Sequence, residues 1–195
     1  MNRIYIIHRW DGSPQEPMYQ WLKKEFKKEG YEVLIPAMPN ASEPEIKTWV
    51  SHIKKIVGTV SKETYFIGHS IGCQSILRYM ETLDPHTKIG GVIFIAPWMS
   101  LDENTIKEEG EEVKRIAKPW METPINWKKV RTHTSKFVCI FSDNDPYVPL
   151  SNKTLFEKEL RAKIIMEHNK GHFTVSDNIK ENQTAVNELL ILSKN

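Results

Sequence analysis

Thr64-Tyr65-Phe66-Ile67-Gly68-His69-Ser70-Ile71-Gly72-Cys73-Gln74-Ser75-Ile76-Leu77 decides the fold. Thr64 to Ile67 are β-branched or aromatic and read as a strand. Ile76, Leu77 and Met80 continue at helical spacing. Between the two runs, Gly68 and Gly72 stand two positions either side of Ser70. G-x-S-x-G has a mechanical meaning at a strand-to-helix turn. The serine projects from a tight bend, and small residues on either side let strand and helix pass closely.

The same alternation of short strand, turn and helical period extends in both directions. Upstream, Ile4 to Ile7 form a first strand, and Ser13-Pro14-Gln15-Glu16 looks like a helix start with Ser13 as N-cap. Met18, Leu22 and Phe26 keep one face apolar until Gly30. Tyr31 to Ile35 is a second strand, and Ser42-Glu43-Pro44-Glu45 repeats the capping pattern ahead of Ile46, Trp49, Val50, Ile53 and Val57. Downstream, Gly91 to Ile95, Lys136 to Phe141 and Lys163 to Met166 are three more strands. Helices are expected over about 149–161 and around Ala185, Leu189, Leu190 and Leu192. The expectation is an α/β fold: a three-layer α/β/α sandwich on a mostly parallel six-stranded sheet, forming a single domain over 1–195.

Residues 97–135 exceed an ordinary connection and read as an insertion between strands, a candidate small cap, with Glu103 to Ile116 helical. Trp98, Trp120 and Trp127 in it either pack it onto the sheet, the commoner use of tryptophan, or wall a pocket.

The chain has 195 residues, 27% charged and 39% hydrophobic, with a net charge of +2, and Lys is interleaved with Glu over residues 23–29. Such a balance argues for a globular protein and against nucleic acid as main partner. The opening apolar run is too short for a signal peptide or a membrane span, and Cys73 and Cys139 lie in apolar segments. A cytoplasmic location is expected, with no membrane partner.

A serine hydroxyl needs a base, and the base needs an acceptor that fixes its tautomer. Two loops after strand ends supply them: Ser142-Asp143-Asn144-Asp145-Pro146-Tyr147-Val148-Pro149 and Glu167-His168-Asn169-Lys170-Gly171-His172-Phe173. The order Ser70, Asp145, His172 is that of nucleophile-elbow enzymes. Asp143 is the alternative acid, with a turn-stabilising role otherwise. His168 and His172 have zinc-like spacing, but Asn169-Lys170-Gly171 is turn chemistry and no partner set completes a metal site. No metal and no cofactor are expected. His69 packs at the elbow or lines the pocket, and His52, His86 and His133 read as surface groups without a role.

With these motifs in view, the chain resembles the α/β-hydrolase superfamily, and within it the small serine hydrolases of the retinoblastoma-binding-protein-nine type, which carry little or no cap. The resemblance rests on His8 and the Trp10-Asp11-Gly12-Ser13-Pro14 turn, the Gly68-to-Gly72 elbow, Asp145-Pro146-Tyr147-Val148-Pro149 and Gly171-His172-Phe173. It implies a cofactor-free hydrolase of small carboxylic esters or amides acting through an acyl-serine. It also favours Asp145 as the acid, four residues before the proline, and backbone N–H groups of Ile71 and Trp10, or Arg9, as the oxyanion hole. The sequence departs from that pattern in having Arg9 where such families place glycine after His8. His8 and Arg9 join the candidate pocket, Arg9 as a site for an acidic substrate group. The competing reading is a catalytically silent binding protein on the same fold. A mononucleotide binder ranks last, because the first turn holds one glycine only.

Overall fold

The computed structural model describes residues 1–194, so Asn195, the last residue of the expected domain, lies outside the described residues. In chain order the elements are β1 (Arg3–Ile7), α1 (Pro17–Lys28), β2 (Glu32–Leu34), α2 (Ile46–Val57), β3 (Thr64–His69), α3 (Ile71–Met80) and β4 (Gly91–Ile95). They continue with α4 (Glu103–Glu109), α5 (Glu111–Glu122), α6 (Trp127–His133), β5 (Phe137–Ser142), α7 (Ser151–Leu160), β6 (Lys163–Glu167) and α8 (Gln183–Lys194).

The six strands form one sheet in the order β2-β1-β3-β4-β5-β6, and every pairing is parallel. Side chains alternate across it. Tyr5, Ile7, Phe66, Val92, Phe94, Cys139 and Phe141 face a core completed by Trp49 and Ile53 of α2, the apolar residues of α3, Val130 of α6 and Phe156 of α7. Ile4, Ile6, Ile67, Ile93, Ile95, Val138 and Ile140 face Met18, Tyr19, Leu22 and Phe26 of α1 and Ala185, Val186 and Leu189 of α8. With both faces covered, the central strands are continuous apolar runs. The strand order reverses between β1 and β3, and an open parallel sheet leaves a crevice at the carboxyl ends of such strands.

The helix starts differ from the sequence expectation. α1 begins at Pro17, and Glu16, its N-cap, is extended (φ −58°, ψ 137°) because the residue before a proline is kept from helical conformation. The Ser13–Glu16 bonds form all the same, but they close a turn ahead of the helix: Ser13 N–H donates to Glu16 Oε1 (3.2 Å) and Gln15 N–H to Ser13 Oγ (3.3 Å). At α2 the cap is Glu45, and Ser42 makes no cap. The segment before it is a turn closed by Glu43 N–H to Asn40 O (3.0 Å) and held by tertiary bonds: Ser42 O accepts Trp10 Nε1–H (2.9 Å), and Pro44 O accepts Trp120 Nε1–H (2.8 Å). The helix expected over 103–116 is two helices, broken at Gly110 (φ 100°). Asp102 caps the first through Thr105 N–H (2.9 Å). His133, read as a surface group, is fully buried at the end of α6 and bonds Thr87 O through Nδ1 (2.8 Å).

Candidate active site

Ser70 sits between β3 and α3 with φ 55° and ψ −122°, a strained conformation for a residue with a side chain, worth about 1–3 kcal/mol. The flanking glycines permit the close approach that this bend requires. A Cβ on Gly68 would lie 2.7 Å from Cys73 Cα, and one on Gly72 would lie 2.3 Å from Ile7 O. Ser70 N–H is anchored to Ile95 O (2.9 Å), so the bend is tied to the neighbouring strand end. The Ser70 hydroxyl oxygen accepts a hydrogen bond from Trp98 Nε1–H (3.2 Å).

The loops after β5 and β6 close on each other residue by residue. Asp143 accepts Asn169 N–H (2.9 Å) and contacts His168 Nδ1 (2.6 Å), while Ser142 Oγ accepts Lys170 N–H (3.0 Å). Asn144 Oδ1 accepts Gly171 N–H (2.8 Å), and Asp145 Oδ2 meets His172 Nδ1 at 2.7 Å. Asp145 Oδ1 takes the N–H groups of Tyr147 and Val148 (2.9 and 3.1 Å), so the carboxylate is fixed from both ends. Its side chain is 2% exposed and that of His172 10%. The two aspartates thus divide: Asp145 meets His172, and Asp143 holds His168 and the backbone beside it. The ring of Tyr147 stands edge-on to His172, centroids 5.2 Å apart. Asp177 shapes the histidine loop, accepting His172 N–H (3.0 Å), Thr174 N–H (2.9 Å) and Thr174 Oγ1–H (2.6 Å) through one oxygen. Trp98, Tyr147, Asn144 and Asp177 have no role in the motif reading beyond Trp98 as a wall. Only the turn-forming character of the last two signals them.

The turn after β1 is held by His8. Its Nε2 accepts Met38 N–H (3.0 Å), so Nδ1 carries the proton and donates to Arg9 O (2.8 Å). Burial pushes the His8 pKa below its ordinary value, in keeping with this neutral tautomer. Gly12 N–H donates to the same carbonyl (3.1 Å). A planar trans peptide points its N–H away from its C=O, so anchoring Arg9 O sets the direction of Trp10 N–H, which has no hydrogen-bond partner among the described residues. Arg9 N–H, by contrast, donates to Tyr19 Oη (3.2 Å). Ile71, first residue of α3, has no intrahelical acceptor for its N–H.

Tyr19 carries this connection inward. Its hydroxyl bonds His69 Nδ1 (2.7 Å), and His69 Nε2–H donates to His172 O (2.8 Å). The chain Arg9–Tyr19–His69–His172 ties the first turn, α1, the elbow and the histidine loop through buried groups. Desolvation holds His69 well below its ordinary pKa and Tyr19 well above, so one stays neutral and the other protonated.

A cleft of about 760 Å³ opens over these elements, lined by Ser70, His172, Trp98, Arg9 and Trp10. Leu101, Ile106, Val113 and Ile116 of the inserted segment give it an apolar wall, and Asp11, Glu43, Glu109, Glu112 and Asp177 give it acidic groups. The remaining candidate pocket residues lie elsewhere. His8 and His69 are buried beneath the cleft. Trp120 is 1% exposed against Trp49 and Pro44, and Trp127 packs edge-on to Phe156 (5.9 Å). Both indoles dock the insertion, Trp120 fully buried and Trp127 partly so, because large apolar rings gain most from being removed from water. Arg9 lines the cleft with its charge already compensated: Nε pairs with Glu16 (3.2 Å) and one Nη donates to Trp10 O (3.0 Å).

An all-parallel sheet with a strained serine on its central strand-to-helix turn and a buried histidine–carboxylate pair beside it defines a hydrolase of the α/β class. The chain belongs to the serine hydrolase family, whose model matches residues 4–189. It is 26% identical to the Bacillus subtilis hydrolase YdeN over 172 residues, 88% of this chain and 85% of that protein. It is 24% identical to the serine hydrolase RBBP9 of Rattus norvegicus over 156 residues, 80% and 77% of the two chains. The crystal structure of the ydeN product superposes over the whole of both chains with a TM-score of 0.88 at 23% identity.

Proposed function

We propose that this serine hydrolase cleaves small carboxylic esters or amides through an acyl-serine, with Ser70 as nucleophile, His172 as base and Asp145 as the group that orients it. The observation that carries the reading is the 2.7 Å contact of His172 Nδ1 with an otherwise saturated, buried Asp145, in the cleft that Ser70 also lines. Nδ1 is thereby kept as donor, which leaves Nε2 free to take a proton. In the first half-reaction Ser70 Oγ attacks the carbonyl carbon as its proton passes to His172, and the leaving group departs with that proton. In the second, water gives a proton to His172 and attacks the acyl carbon, and Ser70 recovers its proton as the acid leaves. Ile71 and Trp10 N–H groups hold the oxyanion, Arg9 N–H being occupied by Tyr19.

Glu43 and Glu112 face Arg115, and Arg9 is paired with Glu16, so Asp11, Glu109 and Asp177 are the lining charges without an ion-pair partner among the described residues, and they favour neutral or cationic substrates over carboxylates. The reading is tested by exposing the protein to a fluorophosphonate and mapping the adduct by mass. One adduct on Ser70, lost in His172→Ala, is expected; no adduct on the wild type would refute it.

A further inference from the structure

The nucleophile's oxygen has a neighbour that the triad does not use. Trp98 follows β4 after Ala96, which adopts φ 47°, and Pro97, so the chain turns sharply back over the elbow. Its indole is 1% exposed and donates from Nε1 to Ser70 Oγ at 3.2 Å. Indole N–H is a donor only and accepts nothing. With one lone pair of Oγ taken by Trp98, the Ser70 proton has to point elsewhere, and His172 is the base that shares the cleft.

We propose that Trp98 is a further catalytic residue, a fixed hydrogen-bond donor to Ser70 Oγ that acts chiefly in deacylation. This rests on the reading of Ser70 as nucleophile. In the acyl-enzyme, Oγ is an ester oxygen and a poor acceptor. When hydroxide derived from water has added to the acyl carbon, the C–Oγ bond breaks and its electron pair goes to Oγ, which then takes the proton from His172 Nε2. Negative charge on Oγ peaks during that departure, and a donor already in place stabilises it more than it stabilises the ester. The indole keeps its proton throughout. During acylation the bond stabilises the hydroxyl before attack as well, so its net effect there is small.

Trp98→Phe keeps an aromatic ring and removes the N–H. With p-nitrophenyl acetate as probe, acylation is read from the nitrophenolate burst, and deacylation from decay of the acetyl-Ser70 mass after single turnover. Deacylation is expected to fall about ten-fold or more, as for loss of one donor to a developing oxyanion, while acylation changes by less than about three-fold. Acetyl-enzyme then accumulates. Equal losses in both steps, or no loss in either, would overturn the proposal and mark Trp98 as packing alone. A wild type that takes neither fluorophosphonate nor acetyl on Ser70 would overturn the nucleophile reading itself. A second measurement does not depend on that variant's folding. In ¹⁵N-indole spectra of wild type and Ser70→Ala, one indole resonance is expected to move upfield as its acceptor is lost, and an unchanged set of indole signals would count against the bond.

Discussion

Tyr19→Phe removes one oxygen atom from a fully buried side chain and breaks two bonds that join separate parts of the candidate site. The ring stays, so hydrophobic packing against Met18, Leu22 and Ile67 is nearly unchanged. Two polar groups lose their partners: Arg9 N–H, which is half-buried, and His69 Nδ1, which is fully buried. His69 has no remedy in its other tautomer, because Nε2 must keep its proton to donate to His172 O. An orphaned buried donor or acceptor loses about 1–3 kcal/mol. Taking the lower end for Arg9 and the middle for His69 gives a loss of about 3 kcal/mol. At a urea m-value of about 2 kcal/mol/M, the unfolding midpoint should drop by about 1.5 M. Ester hydrolysis should fall with it under folding conditions, since the same hydroxyl holds the turn that presents Trp10 N–H. Equilibrium urea unfolding followed by far-UV circular dichroism is the assay. A midpoint within about 0.3 M of wild type would show that the Arg9–Tyr19–His69–His172 chain does not hold these loops.

Asp145→Asn should lower hydrolysis of an activated ester by about 10³–10⁴-fold, the usual effect of losing the carboxylate that fixes the base's tautomer, while Asp143→Asn stays within about ten-fold; steady-state rates of the two folded variants decide between them. Stability should fall as pH drops below about 6.5, because burial lowers the folded pKa of His8 and His69, the unfolded chain binds protons first, and each group contributes a slope of up to about 1.4 kcal/mol per pH unit. Urea titrations from pH 7.5 to 5 should show His69→Gln with a shallower slope than wild type, and identical slopes would refute the assignment. Among isosteric esters, kcat/KM should rank the cationic above the anionic one by about ten-fold at low salt, with the ratio narrowing in Asp11→Asn/Glu109→Gln and on raising ionic strength. Removing the pair together, Arg9→Gly/Glu16→Gln, should leave that ratio within about three-fold, because the two charges cancel; a selective loss of the anionic ester, widening the ratio, would restore Arg9 as a reader of substrate carboxylates.

The parallel sheet and its elbow were legible because their signals are local: apolar runs of strand length, and glycines two residues either side of a serine. Asp145 and His172 were legible for the same reason, each set in a short loop of turn residues. The groups that hold them were not. His69 reaches His172 across 103 residues, Tyr19 reaches His69 across 50, and Trp98 reaches Ser70 across 28. Spacing rules say nothing about such pairs, which exist only once the strand order brings the loops together. The insertion was ambiguous for a similar reason: Trp98, Trp120 and Trp127 look alike in sequence, so packing was the commoner expectation for all three, yet Trp98 alone of them lines the cleft. The start of α2 was missed where tertiary bonds won, with Ser42 and Pro44 giving their carbonyls to Trp10 and Trp120, whereas that of α1 turned on a local cause, Pro17 keeping Glu16 out of the helix.

Arg9 shows how a departure from a family pattern is absorbed. Glycine after the first strand would be required if the backbone there entered the left-handed region, but it is Asp11 that does so, with φ 50°. Arg9 therefore fits without backbone strain, and its side chain supplies bonds that a glycine would not. Nε binds Glu16, Glu16 binds Ser13 N–H, and an Nη binds Trp10 O, so the turn is closed from outside as His8 closes it from inside. Gly12 is the position with no latitude, since a Cβ there would meet Arg9 and Glu16 at 2.8–2.9 Å. The turn thus reaches a defined Trp10 N–H by a different division of labour. A glycine that permits a conformation is replaced by an arginine, a glutamate and a neutral histidine that enforce one.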